Sequence, residues 1–247
     1  MATTLKLGAI SVEVVRKDIK NVHLSVYPPH GRVRIAAPRH MKLDTIRVFA
    51  AAKLGWIKKQ QQKLAAQARE PVREYVERES HDLWGRRYLL NVIESHAPQG
   101  VELKGSRIVL KIRPGASAEH RAELMAQWRR QVLRQEAMKL IAVWKQRLGV
   151  SVNRLLIQSM KTKWGSCNPK TRNIRLNTDL SKKPKQCLDY LILHEMAHLL
   201  VPNHGEAFVR LINQHMPHWR SVRSQLNELP LSNEPTPSDM RAKKLAA

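Results

Sequence analysis

His194-Glu195-Met196-Ala197-His198 reads as the pattern H-E-x-x-H, and it lies within an apolar run that extends from Leu188 to Val201. Residues four apart share one face of an α-helix, so the two histidines can present their imidazoles to the same metal ion. Histidine and glutamate are poor choices for a buried apolar face unless they gain a partner. The stretch therefore predicts a metal-binding helix, in which Glu195 is close enough to act on a metal-bound water.

A third ligand is required, because a catalytic zinc site usually has three protein ligands and a water. Our candidate is His204, which follows His198 by six residues in the turn-forming stretch 202–205 (PNHG). These turn formers are expected to end the helix at about Val201. The long zincin motif H-E-x-x-H-x-x-G-x-x-H has its third histidine at the same distance, although Val201 replaces its glycine here. Rival ligands are Glu206, His215, His218 and Glu228.

Four segments carry a wider resemblance: 161–167 (KTKWGSC), 173–177 (NIRLN), 188–198 (LDYLILHEMAH) and 203–208 (NHGEAF). They closely resemble the YgjP-like metallopeptidases, which look related to the SprT-type, DNA-associated proteases. The resemblance is strong from about Lys161 to Trp219 and looser over the N-terminal half. It implies one zinc ion per chain, held by His194, His198 and His204, with Glu195 as the general base.

Positive charge dominates the composition, with 44 Lys and Arg against 20 Asp and Glu and a formal net charge of +24. Such an excess is typical of proteins with an anionic partner, most often DNA or RNA, although a generally basic solvated surface has the same composition. Two groups of lysines are the candidate nucleic-acid contacts: Lys53, Lys58, Lys59 and Lys63 on the polar face of a predicted helix, and Lys182, Lys183 and Lys185 before the metal-binding helix.

The sequence also predicts the cellular compartment in which the protein is located. Its two cysteines, Cys167 and Cys187, do not form a disulfide framework. The first residues contain no apolar signal core, and no stretch reaches the roughly 18 apolar residues of a membrane helix. We therefore expect a cytoplasmic protein without a membrane partner.

Hydrophobic periodicity predicts an α+β fold whose first domain spans residues 1–115. This region is expected to contain a small antiparallel sheet with a helix, followed by further strands. The predicted elements are strands at 11–15, 22–27 and 33–36, a helix at 43–67, and strands at 87–93, 101–103 and 108–112.

The second predicted domain, residues 116–229, is zincin-like and contains the H-E-x-x-H helix. A long helix is expected between Ser117 and Gly149, and the metal-binding helix is expected to begin after Pro184, which suits a first turn. Strands are predicted at 155–160 and 173–177. Residues 230–247 are expected to be a disordered tail, and we see no internal repeat.

Several residues near the motif in sequence could contact a substrate. Trp164 is interpreted as a core anchor or as a wall of the substrate cleft. The strand 173–177 is predicted to be a sheet edge along which an extended peptide aligns, with Arg175 facing outward. The candidates for stabilising an oxyanion are Tyr190, His215 and His218.

Cys167 leaves three interpretations open. As a fourth zinc ligand it would close the site and make the metal structural. As a nucleophile it would need a histidine partner. The simplest interpretation is a small residue packed in a turn.

These patterns together predict a metal-dependent hydrolase, and a zinc metallopeptidase acting on protein or peptide substrates fits them best. Its substrates could include proteins bound to nucleic acid. Two other functions remain open. One is a nucleic-acid-binding module whose zinc only holds the fold, and the other is a hydrolase that uses the same water on a non-peptide substrate.

Overall fold

The computed structural model describes residues 2–27, 31–66, 73–160 and 163–228. Within these ranges the chain forms small sheets and six α-helices, so the predicted α+β class is confirmed. The tail predicted at 230–247 lies outside the described residues. Contacts divide the chain into two compact units, Met1–Ala68 and Arg69–Ala247. The domain boundary predicted near residue 115 lies inside the second unit and stays a prediction.

The first unit is a four-stranded sheet with two helices. Its elements are β1 (Ala2–Leu7), β2 (Ile10–Lys17), β3 (His23–Tyr27), β4 (Arg32–Pro38), α1 (Leu43–Ala52) and α2 (Leu54–Ala66). The strand order is β1-β2-β4-β3, and β2 pairs with β4 in parallel, whereas the other two pairs are antiparallel. The prediction of an antiparallel sheet is therefore wrong, because β3 lies at an edge instead of between β2 and β4.

Two helices replace the single helix predicted over residues 43–67. The N–H of Lys53 donates to the carbonyl of Ala50, three residues earlier, and this tightens the last turn of α1. Gly55 follows in the first turn of α2, where its low helix propensity disfavours a continuous helix. Alternate residues of β2 and β4 form the core of the unit with apolar side chains of the helices: Val12, Val14, Val33, Ile35, Ile46, Ala50 and Ile57.

The second unit contains seven strands and four α-helices within the described ranges. They are β5 (Ser80–Leu83), β6 (Arg86–Glu94), β7 (Gly100–Lys104), β8 (Arg107–Ile112), α3 (Ala118–Leu148), β9 (Arg154–Gln158), β10 (Gly165–Asn168), β11 (Asn173–Asn177), α4 (Lys185–Ala197), α5 (Glu206–His215) and α6 (Trp219–Glu228). The long helix α3 is confirmed: the Ser117 side chain caps its start, and Gly149 ends it at a φ of 67°.

The sheet β5-β6-β8-β7 repeats the topology of the sheet in the first unit. In both, two antiparallel hairpins are joined through a parallel pair, here β6 with β8, and a helix follows the fourth strand. The chain therefore contains a structural repeat that sequence analysis missed. The two copies need only alternate apolar residues on one sheet face, and this requirement leaves the individual side chains free to differ.

The turn between β5 and β6 fixes the approach to α4. The N–H groups of Trp84 and Gly85 donate to the carbonyls of Ser181 and Lys182 at 2.8 and 3.1 Å. Gly85 has a φ of 75°, and a Cβ there would lie 2.8 Å from the Pro184 ring. Only glycine fits this position without strain. The turn thus holds the residues that lead into the H-E-x-x-H helix.

The third sheet has the strand order β10-β11-β9, with β10 and β11 antiparallel and β11 and β9 parallel. The strand predicted to be a sheet edge, Asn173–Asn177, is therefore the central one, and that prediction is wrong. Ile174 and Leu176 are fully buried against the core of the unit, and Arg175 points to the opposite face, as predicted. The edge strands are β9 and β10.

Helix α4 packs into one of the two hydrophobic cores of the second unit, with Leu188, Ile192 and Leu193 fully buried. It ends at Ala197 rather than at the predicted Val201. The reason is a tighter turn, in which the N–H of Leu200 donates to the carbonyl of Ala197 at 3.0 Å.

No helix in the described part of the chain is both long enough and apolar enough to span a bilayer. The cytoplasmic location stays a prediction.

Candidate metal centre

The structure brings His204 to the two histidines of the H-E-x-x-H stretch. One potential ligand atom from each of His194, His198 and His204 lies within 4.8 Å of the others. The Nε2 atoms of His194 and His204 are 3.1 Å apart. Nitrogens bound to one tetrahedral zinc at about 2.0–2.1 Å lie roughly 3.3 Å from each other. The observed separation is therefore compatible with a shared ion.

The rival ligands are not part of this cluster. Over the residues that the structure describes, the three histidines are the one group of three or more His, Cys, Asp or Glu side chains with ligand spacing. Glu206 instead forms an exposed ion pair with Arg210 at 3.3 Å. The ring of His215 meets the Trp144 ring edge-on at 5.8 Å, and the Glu228 carboxylate accepts from the Ser224 hydroxyl.

Hydrogen bonds orient His194 on α4 and His198 at its C-cap through their Nδ1 atoms. The Tyr190 hydroxyl lies 3.4 Å from Nδ1 of His194. Nδ1 of His198 lies 3.3 Å from the carbonyl of Val201, to which it donates in the Nδ1–H tautomer. Both contacts leave Nε2 available as the metal ligand, and such partners commonly fix the orientation of a ligating imidazole.

Phe208 forms the apolar floor of the cluster. It is a buried residue of α5, and its ring centre lies 5.0, 4.8 and 4.8 Å from those of His194, His198 and His204. Contact with all three imidazoles restricts their rotamers. The first turn of α5 therefore helps to orient the three histidines, although it contributes no ligand atom to the cluster.

Both histidines of the H-E-x-x-H stretch are held in the neutral form. Burial lowers the pKa of His194 to about 3, and the neighbouring His198, His204 and Arg223 lower it further. Burial also lowers the pKa of His198, against the opposing effect of its bond to Val201. Neutral imidazole is the form that binds metal, so protons do not compete for these sites near neutral pH.

Glu195 lies beneath the edge strand β10 and is 5% exposed. Burial raises the pKa of its carboxyl to about 7, while the charge of Lys163 and a hydrogen bond from the Cys167 N–H lower it. A carboxyl with a pKa near neutrality is suited to take up and release a proton. The combination of a buried acid and adjacent neutral imidazoles marks this cluster as a candidate active site.

Gly165 allows Glu195 to reach its position, because a Cβ at residue 165 would lie 2.7 Å from Oε1 of the carboxylate. We expect Gly165→Ala to displace the carboxylate, to destabilise the fold by about 1–3 kcal/mol and to reduce turnover by roughly 10–100-fold. Turnover per bound metal and thermal unfolding measure the two effects. Gly100→Ala is the control, because a Cβ there has no neighbour within 4 Å. Wild-type turnover in Gly165→Ala would contradict this role.

The structure favours the simplest of the three interpretations of Cys167. Its thiol is outside the histidine cluster. Burial and the nearby Glu195 raise the pKa of this thiol to about 11, so the nucleophilic thiolate is disfavoured. The side chain packs partly buried against the core of the second unit.

The three candidates for stabilising an oxyanion have different surroundings. Tyr190 is buried, stacks on Trp219 at 6.1 Å and faces Nδ1 of His194, so it positions a ligand instead of facing substrate. His215 packs against Trp144, and His218 is exposed next to the start of α6. Trp164 is half-buried against the core and has the Lys183 ammonium 5.8 Å from its ring centre.

The lysines predicted to bind nucleic acid before α4 do not form an exposed patch. The side chain of Lys182 is 4% exposed and pairs with Asp179 at 3.6 Å. Lys183 is also buried, and Lys185 pairs with Glu136 at 2.9 Å. Local packing buries Lys182 and Lys183, whereas the side chain of Lys185 is 54% exposed, and nucleic-acid binding by these lysines stays a prediction. The other predicted group remains exposed in the first unit: Lys53, Lys58, Lys59 and Lys63.

Comparison with known proteins yields a family match. The model described as "YgjP-like, metallopeptidase domain" matches residues 20–229. Among solved structures, the zymogen of Pyrococcus abyssi abylysin, a metallopeptidase, is 19% identical, covering 38% of this chain and 99% of its own, with a TM-score of 0.34. The zymogen of Methanocaldococcus jannaschii jannalysin, also a metallopeptidase, is 23% identical, covering 38% and 92%, with a TM-score of 0.32. These scores are below the level at which a shared fold follows. No curated protein matches the sequence.

Proposed function

Because the chain belongs to the YgjP-like metallopeptidase family, we propose that it hydrolyses peptide bonds with one zinc ion held by His194, His198 and His204. Membership of this family supports the activity of a metal-dependent peptidase, and hence a protein or peptide as its substrate. The choice of zinc rests on the donor set, since three imidazoles with an open fourth position are typical of catalytic zinc.

One observation carries the proposal: ligand atoms of three imidazoles lie within 4.8 Å of one another, and a buried carboxyl lies on α4, which supplies His194 and has His198 as its C-cap. A structural zinc would need a fourth protein ligand. Cys167, the first candidate for that ligand, lies outside the cluster. The arrangement therefore favours a catalyst over a metal that only holds the fold.

The chain's residues have distinct tasks in the reaction. Zinc in this site would lower the pKa of water and polarise the scissile carbonyl. Glu195 takes one proton from the attacking water and delivers it to the leaving amine. Water and the peptide thus become a carboxylic acid and an amine. Tyr190 and the Val201 carbonyl orient the imidazoles of His194 and His198 through their Nδ1 atoms.

The edge strand β10 supplies a backbone surface for substrate. The carbonyl of Trp164 accepts from the N–H of Asn177, so alternate residues of β10 bond to β11. The N–H of Cys167 instead points away from β11 to Glu195. The outer edge of β10 therefore lies beside the general base, and we propose that an extended peptide adds to this edge through backbone groups other than the Cys167 N–H.

Metal removal and replacement test the proposal. We expect the purified protein to contain about one zinc per chain and to cleave an unfolded protein such as reduced casein. A chelator should abolish cleavage, and stoichiometric zinc should restore it, because neither Glu195 nor the imidazoles alone activate water sufficiently. Zinc binding without cleavage of any protein or peptide would favour a non-peptide hydrolase or a structural zinc.

A second function, nucleic-acid binding, is favoured by the exposed face of α2. Trp56, Lys59 and Lys63 follow each other by three and four residues, so they share one side of the helix. All three are exposed, Trp56 by 44%, and α2 contains no acidic residue. Exposed aromatic rings flanked by lysines bind bases by stacking and phosphates by charge. We propose single-stranded nucleic acid as the partner of this face and nucleic-acid-bound proteins as substrates.

The full chain should bind a labelled single-stranded oligonucleotide with an affinity that falls steeply as salt rises. Trp56→Ala should weaken binding by roughly 10-fold, since stacking contributes about 1–3 kcal/mol per base. Lys170→Ala, which removes an exposed lysine in the second unit, is the control and should have little effect. Absence of binding at about 50 mM salt would leave the positive charge as a solvated surface.

A further inference from the structure

The side chain of Asn177 makes every hydrogen bond that an amide can make. Asn177 ends β11 and is 1% exposed. Its Nδ2 donates to the carbonyls of Met160 and Lys163 at 2.7 and 3.0 Å. Its Oδ1 accepts from the N–H groups of Met160 and Asp179 at 3.4 and 3.2 Å. An amide group has two N–H donors and one oxygen with two lone pairs, so these four bonds fill its capacity.

These bonds join the start of β10 to the segment that leads into α4. Lys163 precedes β10 by two residues, and the carbonyl of the intervening Trp164 accepts from the backbone N–H of Asn177 at 2.8 Å. In the other direction, Asn177 is the N-cap of a short 3-10 helix, Thr178–Lys182, after which α4 begins at Lys185. A buried and fully bonded polar side chain is a rigid connection. Asn177 therefore fixes the starts of both elements relative to each other.

The Glu195 carboxylate lies at the contact between these two elements. The residue belongs to α4, but its carboxylate touches β10. A Cβ at Gly165 would lie 2.7 Å from Oε1 and 3.2 Å from Cδ of Glu195, and the N–H of Cys167 donates to the carboxylate. The histidines of the cluster are not on β10. The direction of the carboxylate relative to the metal ligands thus depends on where β10 lies.

We propose that Asn177 is a positioning residue for Glu195, because it holds β10 against the carboxylate of the general base. The proposal rests on the peptidase function proposed above. β10 has four residues and is an edge strand that pairs with β11. Short segments at the edge of a fold open locally more readily than central ones. The bonds from Asn177 oppose such opening at the end of β10 that carries Gly165.

Two substitutions remove the connection to β10 and keep the connection to α4. Serine and aspartate serve as well as asparagine at a helix N-cap, so Asn177→Ser and Asn177→Asp should both still accept from the Asp179 N–H. Neither reproduces the two donations from Nδ2, since a hydroxyl has one proton and a carboxylate has none. The two variants differ in charge, so an effect that both show does not arise from a buried charge.

Asn153→Ser is the matched control. The exposed side chain of Asn153 donates to the carbonyl of Thr171 at 3.4 Å, at the end of the same sheet where β11 begins. This substitution removes a side-chain amide that also bonds to the backbone next to the sheet. It leaves the start of β10 untouched, and all three measurements on it should match the wild-type protein.

Amide hydrogen exchange followed by NMR on the full chain is the first measurement. The Cys167 amide should exchange at least about 10-fold faster in both Asn177 variants, whereas amides of α4 such as that of Ile192 should keep their protection. Zinc affinity, measured with a competing chelator, should stay within about 2-fold of wild type, because no ligand lies on β10. Casein turnover at saturating zinc should fall by roughly 10–100-fold, because the base is misaligned.

The proposal is overturned if the Cys167 amide keeps its protection in both variants, if zinc affinity falls together with turnover, or if Asn153→Ser has the same effects. Loss of protection throughout α3 in both variants would also overturn it, because Asn177 would then hold the fold in general. Exchange and zinc affinity are measured without cleavage. Faster exchange at Cys167 with unchanged zinc affinity, in a protein whose wild type cleaves nothing, would sustain the positioning of Glu195 and refute the peptidase.

Discussion

Glu195→Gln should bind zinc as the wild-type protein does and lose peptide hydrolysis by about 10³-fold or more. Glutamine preserves the size of the side chain and can still accept the Cys167 N–H, but it cannot take up the proton of water. A positioned general base contributes roughly 10²–10⁴-fold to such reactions. The pKa of about 7 for this buried carboxyl makes it the group in the site best matched to proton transfer at neutral pH.

Zinc content and the rate of casein cleavage are measured on the same preparations. Glu206→Gln is the control, because this exposed glutamate lies close in sequence to the site yet pairs with Arg210. It should retain wild-type activity. Comparable turnover by Glu195→Gln would refute the role of Glu195, whatever its zinc content.

His204→Ala should lose zinc affinity by roughly 10²-fold or more. Structural zinc sites with four ligands bind with about 10–16 kcal/mol, so each ligand contributes on the order of 3 kcal/mol. His204 is the exposed member of the cluster, and its loss leaves two imidazoles. Its removal should disturb the fold little, because the turn that carries it lies at the surface.

Titration with a competing zinc chelator measures this affinity. His215→Ala is the matched control, since it also removes a histidine of the second unit but one that contacts Trp144 instead of the cluster. If His204→Ala retains full affinity while His215→Ala or Glu206→Ala loses it, the third ligand is assigned wrongly.

The sequence was most informative where local spacing alone determines geometry. The four-residue interval between His194 and His198 requires only one helical turn. The turn formers around His204 indicated that the chain folds back after the helix, and the structure brings that side chain to the other two. Helix α3 was likewise predictable, because Ser117 and Gly149 are local start and stop signals.

The order of strands in a sheet and the repetition of a sheet topology depend on pairing between distant segments. The alternation of apolar and polar residues along one strand does not specify this pairing. The segment 173–177 has the alternation of a strand with one buried face, and this pattern is the same for a central strand and for an edge. Only the pairing with both β9 and β10 makes it central. The repeated topology of the two sheets was not predicted either. It also depends on long-range pairing, and the two copies share few side chains.

Side-chain environment was the other point at which sequence reasoning failed. Lys182 and Lys183 read as an exposed basic cluster, yet both are buried through contacts such as those with Asp179 and Trp164. Phe208 and Gly165 were not recognised as parts of the site. Their contributions are a shared aromatic floor and a missing Cβ, and neither has a signature in spacing or charge.

Hydrolysis of casein in water enriched in oxygen-18 tests the central claim most directly. Mass spectrometry of the products should show new C-termini that carry the label with the zinc-loaded wild-type protein, and none with the Glu195→Gln variant at equal zinc content. Absence of labelled C-termini from the zinc-loaded wild-type protein, or their formation at the same rate by Glu195→Gln, would contradict a zinc peptidase that uses Glu195 as its base.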